Sequence, residues 1–309
     1  MKTSTNSAPK IKYLNLVLQR IENTLTQRKI MDIALDKIAS QVRRDIVRMV
    51  AAVKSGHPGG SLGCADFLTV LYFDVMNIDP SNFDMDGMNE DVFYLSNGHI
   101  SPVWYSILSR RGYFPVNELG TFRKISSRLQ GHPSTDKGLP GIRMASGSLG
   151  QGLSVAIGTA EAKKLNQDKS IVYTLHGDGE LQEGQIWEAA MYAAARKVDN
   201  LIATVDYNGR QIDGDVEDVI SLGDLAKKWQ AFGWEVIEMD GHNIEEIQST
   251  MKKAKDMCGQ GKPIVILMRT EMGQGVDYMM GTHKWHGAAP NEEQLEAALA
   301  QLDETIGDY

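Results

Sequence analysis

The hydrophobic and polar positions in the second half of the chain form a regular alternation of two patterns. Short apolar segments rich in β-branched residues predict buried strands over 170–175, 201–206, 234–239 and 263–269. Between them, apolar residues at helical spacing predict helices over 183–196, 222–232 and 244–257. Strands that alternate with helices are typical of a parallel sheet. We therefore predict an α/β fold: a doubly wound, mostly parallel sheet flanked by helices.

The first half of the chain is less regular, and glycine-rich segments separate its predicted elements. Apolar residues at helical spacing predict a helix over 31–54, which ends at the segment Ser55–Gly60, because glycine and proline break helices. A predicted strand at 92–94 precedes a turn that contains a histidine. The irregular segment 131–152 is long for a connection in a compact domain, which favours a functional loop. A helix over 152–165 follows it.

The two ends of the chain receive separate predictions. Spaced apolar residues after a polar start predict an N-terminal amphipathic arm over residues 1–30. Residues 31–309 contain no convincing linker and are predicted to form a single domain. Near the other end, a glycine- and methionine-rich loop over 270–285 leads to a final helix from about Asn291.

Composition and charge exclude several classes of protein. The 32 Lys and Arg residues against 40 Asp and Glu residues give a formal net charge of −8, which argues against a broad nucleic-acid surface. No apolar segment approaches the roughly 20 residues that span a bilayer, and the N-terminus lacks a signal-peptide pattern. Cys64 and Cys258 have no metal-site or redox spacing, which favours reduced thiols. We expect a cytoplasmic protein without membrane or nucleic-acid partners.

Acidic and amide side chains follow two neighbouring predicted strands. Gly177, Asp178 and Gly179 come after one strand, and Asn208 comes after the next. One strand–helix–strand crossover separates them, so both groups should lie at the same edge of the sheet, where such folds bind ligands. Glycine lets the backbone approach an anion, and carboxylate and amide oxygens suit Mg²⁺ or Ca²⁺. A pair of ordinary turns is the alternative. The spacing favours a diphosphate held through a divalent cation.

Histidines in glycine-rich segments are the second candidate group: His57, His99, His132 and His286. Histidine can donate, accept and change charge near neutral pH, as removal of a hydroxyl proton requires. Each one alone would be read as an ordinary loop residue. His283 is the alternative to His286, and His176 and His242 have weaker claims.

Seven motifs, in order along the chain, resemble those of the thiamine diphosphate enzymes and specifically of the transketolase family. They are SGHPGGSLGCAD (55–66), LSNGHISP (95–102), QGHP (130–133), LPGIRMASGSLGQG (139–152), HGDGELQEGQIWEA (176–189), NGRQIDG (208–214) and THKWHGAAP (282–290). The resemblance extends from about residue 35 to residue 290. It implies the thiamine diphosphate-binding fold of the diphosphate-binding type, with thiamine diphosphate and Mg²⁺ as cofactors and Ca²⁺ or Mn²⁺ as substitutes for Mg²⁺.

The resemblance also implies roles for individual residues. The metal ligands would be the side chains of Asp178 and Asn208 and the backbone carbonyl of Arg210. The remaining cofactor contacts would come from His99, Gly147, Leu149, Gly177, Gly179, Glu183 and His286. Ser148 stands where many family members have proline, which puts the rigidity of that loop in question. Glu183 would also lie at the interface between subunits.

The four histidines carry the remaining implied roles. In the family, the residues that match His57, His99, His132 and His286 contact the diphosphate or the sugar hydroxyls and assist proton transfer. The implied reaction moves a two-carbon ketol unit from a ketose phosphate to an aldose. We expect ordinary pentose phosphates as substrates, with sulfonated or branched sugars as the alternative.

The glutamate that activates the cofactor in this family lies in a separate pyrimidine-binding domain. The sequence ends at Tyr309, before any such domain, so the resemblance implies either a fragment of a longer enzyme or one subunit of a split one. We expect one subunit of a split transketolase, active with a C-terminal subunit that carries the pyrimidine-binding domain and the activating glutamate, in a hetero-tetramer. The alternatives are a subunit like those of 1-deoxyxylulose-5-phosphate synthase or 2-oxo-acid dehydrogenase E1, or a regulatory subunit without chemistry of its own.

Overall fold

A five-stranded, all-parallel sheet forms the centre of the protein. The computed structural model describes residues 33–309, so the arm predicted over residues 1–30 lies outside the described residues. The strands are β1 (Val92–Leu95), β2 (Val172–Gly177), β3 (Leu201–Tyr207), β6 (Glu235–Asp240) and β7 (Ile264–Arg269), with a separate two-stranded hairpin of β4 (Arg210–Gln211) and β5 (Gly214–Asp215). The order across the sheet is β1-β2-β3-β7-β6. This confirms the predicted α/β class.

Helices of very different length surround the sheet. They are α1 (Leu35–Val53), α2 (Pro58–Gly63), α3 (Ala65–Val70), α4 (Ser101–Arg111), α5 (Gln151–Leu165), α6 (Gly184–Ala195), α7 (Val216–Ile220), α8 (Leu225–Ala231), α9 (Ile244–Met257) and α10 (Glu292–Gln301). Within residues 33–309, no helix has the length and apolar content needed to cross a membrane.

Two hydrophobic cores cover the two faces of the sheet. Successive residues of a strand point to opposite faces, and the strands here divide in that way: Leu175 and Ile202 belong to one core, and Val172 and Ala203 to the other. Helices α1, α3, α4 and α9 pack on the first face, and α5, α6 and α8 on the second. The sheet is therefore doubly wound, as the pattern predicts.

The register of β2 and β3 brings the two predicted ligand-binding ends together. Gly177 at the end of β2 is paired with Asp206 near the end of β3. The next strand in the sheet, β7, continues the same edge, with Tyr207 paired with Arg269. The carboxyl ends of neighbouring strands thus form one continuous edge, and the loops that follow them share one space.

The segment Ser55–Gly60 differs from the prediction. A helix, α2, begins at Pro58, with His57 as the residue that precedes it. Proline suits the first position of a helix because its missing N–H has no partner there in any case. The glycines of α2 serve close packing: a Cβ at Gly59 would lie 2.6 Å from Met272 Cγ. The loop is therefore shorter than predicted, and it fixes His57 at the start of a buried helix.

Candidate active site

A cleft of about 360 Å³ opens at the carboxyl edge of the sheet. It is lined by every site residue predicted from the sequence: His57, His99, His132, Gly147, Leu149, Gly177, Asp178, Gly179, Glu183, Asn208, Arg210 and His286. These residues come from loops far apart in the chain, which the parallel topology brings to one edge. One end of the cleft is acidic, and the other carries the histidines.

Two buried carboxyl groups dominate the acidic end. Asp178 Oδ1 accepts a hydrogen bond from Gly179 N (2.7 Å), and Oδ2 accepts one from Gly209 N (2.5 Å). Burial, and then the neighbouring Asp206, raise the pKa of Asp178 to about 7. Burial likewise raises the pKa of Asp206. Two neighbouring buried carboxyl groups repel each other when both are charged, and a bound cation would relieve that repulsion. The acidic end therefore favours the binding of a cation.

The donor set at this end fits a divalent cation. No lysine or arginine in residues 33–309 forms an ion pair with Asp178 or Asp206. Asn208 is held by hydrogen bonds from Arg210 N to its Oδ1 (2.9 Å) and from its Nδ2 to Asp206 Oδ2 (2.8 Å). Across residues 33–309, no group of three or more His, Cys, Asp or Glu side chains is arranged to hold a metal. A cation here would therefore depend also on amide, carbonyl and phosphate oxygens, as Mg²⁺ commonly does.

The floor of the cleft contains a glycine turn and two side-chain amide oxygens that lack hydrogen-bond partners. A Cβ at Gly179 would lie 3.1 Å from Gln211 Oε1, so a larger residue would crowd this turn. Gln211 Oε1 and Asn97 Oδ1 are buried without a hydrogen-bond partner. Buried polar atoms are normally paired, and both residues line the cleft. As amide oxygens these atoms accept hydrogen bonds, so they fit the N–H groups of a ligand or a cation, and not the oxygens of a diphosphate.

The loop that carries Gly147 and Leu149 closes one side of the cleft. Gly147 has a φ of +125°, and a Cβ there would lie 2.7 Å from His132 Cδ2. Only glycine combines this backbone conformation with such a close approach. The loop therefore packs directly against a cleft histidine, and Gly147 sets the distance between them.

The four predicted histidines form one cluster. The ring centroid of His57 lies 5.1 Å from that of His99, 5.6 Å from that of His286 and 6.3 Å from that of His132. His99 and His286 stack at 5.1 Å. The Nδ1 atoms of His57 and His286 are buried without partners. Both residues line the cleft, and each keeps one ring nitrogen without a protein partner.

Burial is the main cause of the lowered pKa values of these histidines. It lowers the pKa of His57 to about 4, with further lowering by His286, Arg123 and His132. The pKa values of His99, His132 and His286 are also lowered, in each case mainly by burial. At neutral pH the imidazoles are uncharged, so each can both accept and donate a proton.

The other histidines lie elsewhere. His283 does not line the cleft, so of the two alternatives the structure brings His286 to it. His176 is buried beneath the cleft, where its Nε2 lies 2.8 Å from Thr174 Oγ1. His242 lies beside Asp66, with its Nδ1 3.1 Å from a carboxylate oxygen.

Several cleft residues were missed by the reasoning from sequence. They are Gly60, Asn97, Glu180, Gln182, Asp206, Gln211, Ile212 and Met272. Asp206 precedes Asn208 by two residues at the end of β3, so its position carried a usable signal. Gln211 and Ile212 belong to the hairpin β4–β5, for which the chain gives little periodicity.

Comparison with known proteins identifies relatives of this chain. The family model described as "Transketolase, thiamine diphosphate binding domain" matches residues 35–304. The chain is 42% identical over 272 residues to the 6-deoxy-6-sulfo-D-fructose transketolase subunit SqwG of Clostridium sp. (strain MSTE9), across 88% of this chain and 97% of that protein. It is 40% identical over 264 residues to an apulose-4-phosphate transketolase subunit from Phocaeicola vulgatus, across 85% and 92%.

Solved structures give the same result. The transketolase of Campylobacter jejuni superposes with a TM-score of 0.80 at 36% identity, and that of Leishmania mexicana with a TM-score of 0.81 at 30% identity. These matches cover 87% and 89% of this chain, but only 42% and 43% of the two transketolases. The chain thus spans less than half the length of the solved enzymes. It belongs to the transketolase family, within the part that forms the thiamine diphosphate-binding domain.

Proposed function

We propose that this chain is the diphosphate- and Mg²⁺-binding subunit of a two-subunit transketolase. It would transfer a two-carbon ketol unit from a ketose phosphate to an aldose. One observation carries this proposal: a buried acidic end and a cluster of four neutral histidines lie in the same cleft. The acidic end suits a cation and a diphosphate, and the histidines suit proton transfer at sugar hydroxyls.

The acidic end would hold the cofactor. Asp178, Asn208 and the carbonyl of Arg210 are the proposed ligands of Mg²⁺, with Ca²⁺ or Mn²⁺ as substitutes. Gly177 and Gly179 leave room for the diphosphate at the strand end. Gly147 and Leu149 would lie against the rings of the cofactor, where His99 and His286 complete the contacts. Thiamine diphosphate bound there supplies a carbon nucleophile and an electron sink.

The histidines would handle the protons of the reaction. His57 and His286 have buried Nδ1 atoms without partners, and both side chains line the cleft. A neutral imidazole can take a proton from a sugar hydroxyl and return it later. We assign this task to the cluster of His57, His99, His132 and His286, whose rings lie close enough to contact the same small substrate.

The substrates are proposed from chemistry shared by the relatives. Two of them are named for 6-deoxy-6-sulfo-D-fructose and for apulose 4-phosphate. Both sugars are anionic at one end and present the hydroxyls that the histidines would contact. We propose a modified sugar of this kind, or an ordinary pentose phosphate, as the substrate.

A second subunit would complete the active site. Two relatives that this chain matches over more than nine-tenths of their own length are named as transketolase subunits. We propose that the partner brings the pyrimidine-binding domain with its activating glutamate, in a cytoplasmic hetero-tetramer. Glu183, exposed at the rim of the cleft, is the proposed contact of this chain with another subunit. Residues 31–309 would act as the single cofactor-binding domain.

An assay of ketol transfer, with and without the second subunit, tests the proposed function. The chain is purified with thiamine diphosphate and Mg²⁺ and assayed alone and together with a candidate C-terminal subunit, with ketose phosphates as donors. We expect turnover only in the mixture. Robust turnover by the chain alone would contradict the split arrangement, and a product other than a ketol-transfer product would contradict the reaction.

The metal assignment predicts the effect of Asp178→Ala. We expect binding of thiamine diphosphate in the presence of Mg²⁺ to weaken by about 100-fold or more, because a direct ligand should matter at least as much as the groups that support ligands. Isothermal titration calorimetry with and without Mg²⁺ measures this. Asp256→Ala, which removes an exposed carboxylate far from the cleft, should bind as the wild type does. Unchanged affinity in Asp178→Ala would refute the assignment.

A further inference from the structure

Asp206 lies between the two side chains that are proposed to bind Mg²⁺, and it contacts both residues. Its backbone carbonyl accepts a hydrogen bond from Asp178 N (3.2 Å), and its side-chain Oδ2 accepts one from Asn208 Nδ2 (2.8 Å). The residue is only 2% exposed. It therefore connects the ends of β2 and β3 at the acidic end of the cleft.

The side-chain amide of Asn208 has two ends with opposite properties. Its oxygen accepts hydrogen bonds or binds a cation, whereas its NH₂ group only donates. The two neighbours select one orientation: Arg210 N donates to Oδ1 (2.9 Å), and Nδ2 donates to the carboxylate of Asp206 (2.8 Å). The reversed amide would set a donor against a donor and an oxygen against an oxygen. In the observed orientation, Oδ1 keeps a second lone pair for a cation.

The carboxylate of Asp206 is itself held in place from the next strand of the sheet. Its Oδ1 accepts a hydrogen bond from the hydroxyl of Thr270, and the thiol of Cys64 is a further hydrogen-bonding neighbour. Thr270 directly follows β7, and the register pairs Asp206 with Met268 of that strand. With one oxygen fixed by Thr270, the carboxylate presents its other oxygen to Asn208 in one direction.

The loop that carries Thr270 is fixed by contacts outside the cleft. A Cβ at Gly241 would lie 2.6 Å from Thr270 Cγ2, so the two segments pack closely. The next residue, Glu271, donates its N–H to His242 Nε2 (2.7 Å), and His242 Nδ1 lies 3.1 Å from Asp66 Oδ2. Thr270 itself does not line the cleft. It therefore acts on the cleft only through Asp206.

We propose that Asp206 is a positioning residue for the metal site: oriented by Thr270, it holds the amide of Asn208 so that the oxygen is available to the divalent cation. The inference rests on the proposed function, because it takes Asn208 as a metal ligand. Groups that hydrogen-bond metal ligands orient them, and their loss commonly lowers metal affinity by about 10- to 100-fold.

Two competing explanations give Asp206 a more direct role. It could bind the cation itself, or it could attract the cation by its charge alone. The explanations differ in what they predict for Thr270→Val, which removes one hydroxyl, keeps nearly the same shape and leaves the carboxylate of Asp206 in place. Only a positioning role predicts that this change weakens metal binding.

The first test measures the binding of Mn²⁺ to the full chain in the presence of thiamine diphosphate, from the electron paramagnetic resonance signal of free Mn²⁺. We expect Asp206→Asn to weaken binding by about 10- to 100-fold, because an amide at this position can face Asn208 with either end. Thr270→Val should weaken it by about 10-fold. A loss in Asp206→Asn with unchanged affinity in Thr270→Val would overturn the inference.

Two matched variants serve as controls. Thr270→Ser keeps the hydroxyl that donates to Asp206, so it should bind Mn²⁺ as the wild type does. Asp213→Asn removes one negative charge from the exposed turn of the hairpin β4–β5, close to the same end of the cleft. It should also bind normally, because Asp213 does not contact Asn208. A loss in Asp213→Asn as large as that in Asp206→Asn would show that charge alone is responsible.

The second test needs no metal. In the chain labelled with ¹⁵N-asparagine, the side-chain NH₂ signal of Asn208 is identified by its absence in Asn208→Ala. We expect the proton bonded to Asp206 to lie downfield and to exchange slowly with solvent, and both features to be reduced in Asp206→Asn and Thr270→Val. A change that merely loosened the fold would alter many asparagine signals. An Asn208 signal that neither variant moves would overturn the inference.

The inference and the proposed function can fail separately. If the wild-type chain binds no Mn²⁺ with thiamine diphosphate, the proposed function fails, and the Asn208 signal alone then decides the inference. A signal that responds to both variants would still support the orientation of the amide by Asp206. If Asn208→Ala binds Mn²⁺ as tightly as the wild type, Asn208 is not a ligand and the inference is overturned.

Discussion

At the scale of single residues, burial determines what the cleft histidines can do. An exposed histidine would be partly protonated near neutral pH, and a protonated imidazole cannot accept a proton. The rings of His57 and His99 are buried against each other and against His286, which favours the neutral form of each. The packing of the cluster therefore prepares these groups to act as bases.

The lowered pKa of His57 predicts a pH dependence. Its pKa is about 4 in the folded chain and near 6.5 in an unfolded one, so below pH 6.5 the unfolded state binds more protons. The stabilisation is present above pH 6.5 and is lost as the pH falls towards 4. We expect the NMR shifts of the His57 ring to remain those of a neutral imidazole down to about pH 5.

Urea unfolding at several pH values checks the same prediction. His57→Asn should lose less stability than the wild type between pH 6.5 and 4, because it has no imidazole to protonate on unfolding. His283→Asn, outside the cleft, is the control and should follow the wild type. An NMR midpoint for His57 near 6.5 would contradict the argument.

At the scale of elements, one buried carboxylate links the ends of several segments. Glu180, in the turn after β2, is only 2% exposed. It accepts hydrogen bonds from Gly150 N (2.8 Å), from Gly177 N (3.0 Å) and from the hydroxyl of Ser96. These donors belong to the loop before α5, the end of β2 and the segment after β1. Glu180 therefore fixes three borders of the cleft relative to one another.

This linkage predicts the effect of Glu180→Gln. Glutamine keeps the shape but replaces one acceptor oxygen with an NH₂ group, which would leave at least one buried donor without a partner. We expect the free energy of unfolding to fall by about 1–3 kcal/mol, measured by urea denaturation. Glu188→Gln, on the exposed side of α6, should leave it unchanged. A Glu180→Gln variant as stable as the wild type would show that the three segments are held by other contacts.

The elements also show where reasoning from sequence succeeds and fails. The helix predicted over 244–257 is α9 within those bounds, because its apolar spacing and the cap at Asn243 are local signals. The prediction for Ser55–Gly60 was wrong in part, because its glycines serve close contacts with Met272 and Ile100 that no local pattern reveals. The hairpin β4–β5 is too short to carry a periodic pattern at all.

At the scale of the whole molecule, topology assembles a site that no single segment contains. The register of Gly177 with Asp206 follows from the parallel crossover, which the sequence pattern predicts. The motif resemblance predicts that the four histidines belong to the site. Their distances from one another depend on packing between distant loops, which the motifs do not give. The motifs do not mark Asp206 as a site residue, although it lies at a strand end that the sequence predicts. Its importance comes from its burial beside Asp178, which is a property of the folded chain.

The outer surface of helices α5 and α6 has the character of an interface. The helices lie side by side, joined by hydrogen bonds between Gln151 and Gln185. Their exposed side carries large apolar groups: Val155 is 39% exposed, Met191 58% and Tyr192 45%. Because α6 begins directly after Glu183, this apolar surface adjoins the rim of the cleft. We assign it to the contact with another subunit of the proposed assembly.

This assignment predicts the effect of Met191→Glu. A charge in an interface must lose its water shell without gaining a partner, so we expect association of the subunits to weaken by roughly 10-fold or more. The free energy of unfolding of the isolated chain should not change, because the side chain is already exposed. Analytical ultracentrifugation of the chain with its partner measures the association. Met85→Glu changes an equally exposed methionine in another part of the surface and should associate normally. Equal behaviour of the two variants would place the interface elsewhere on the molecule.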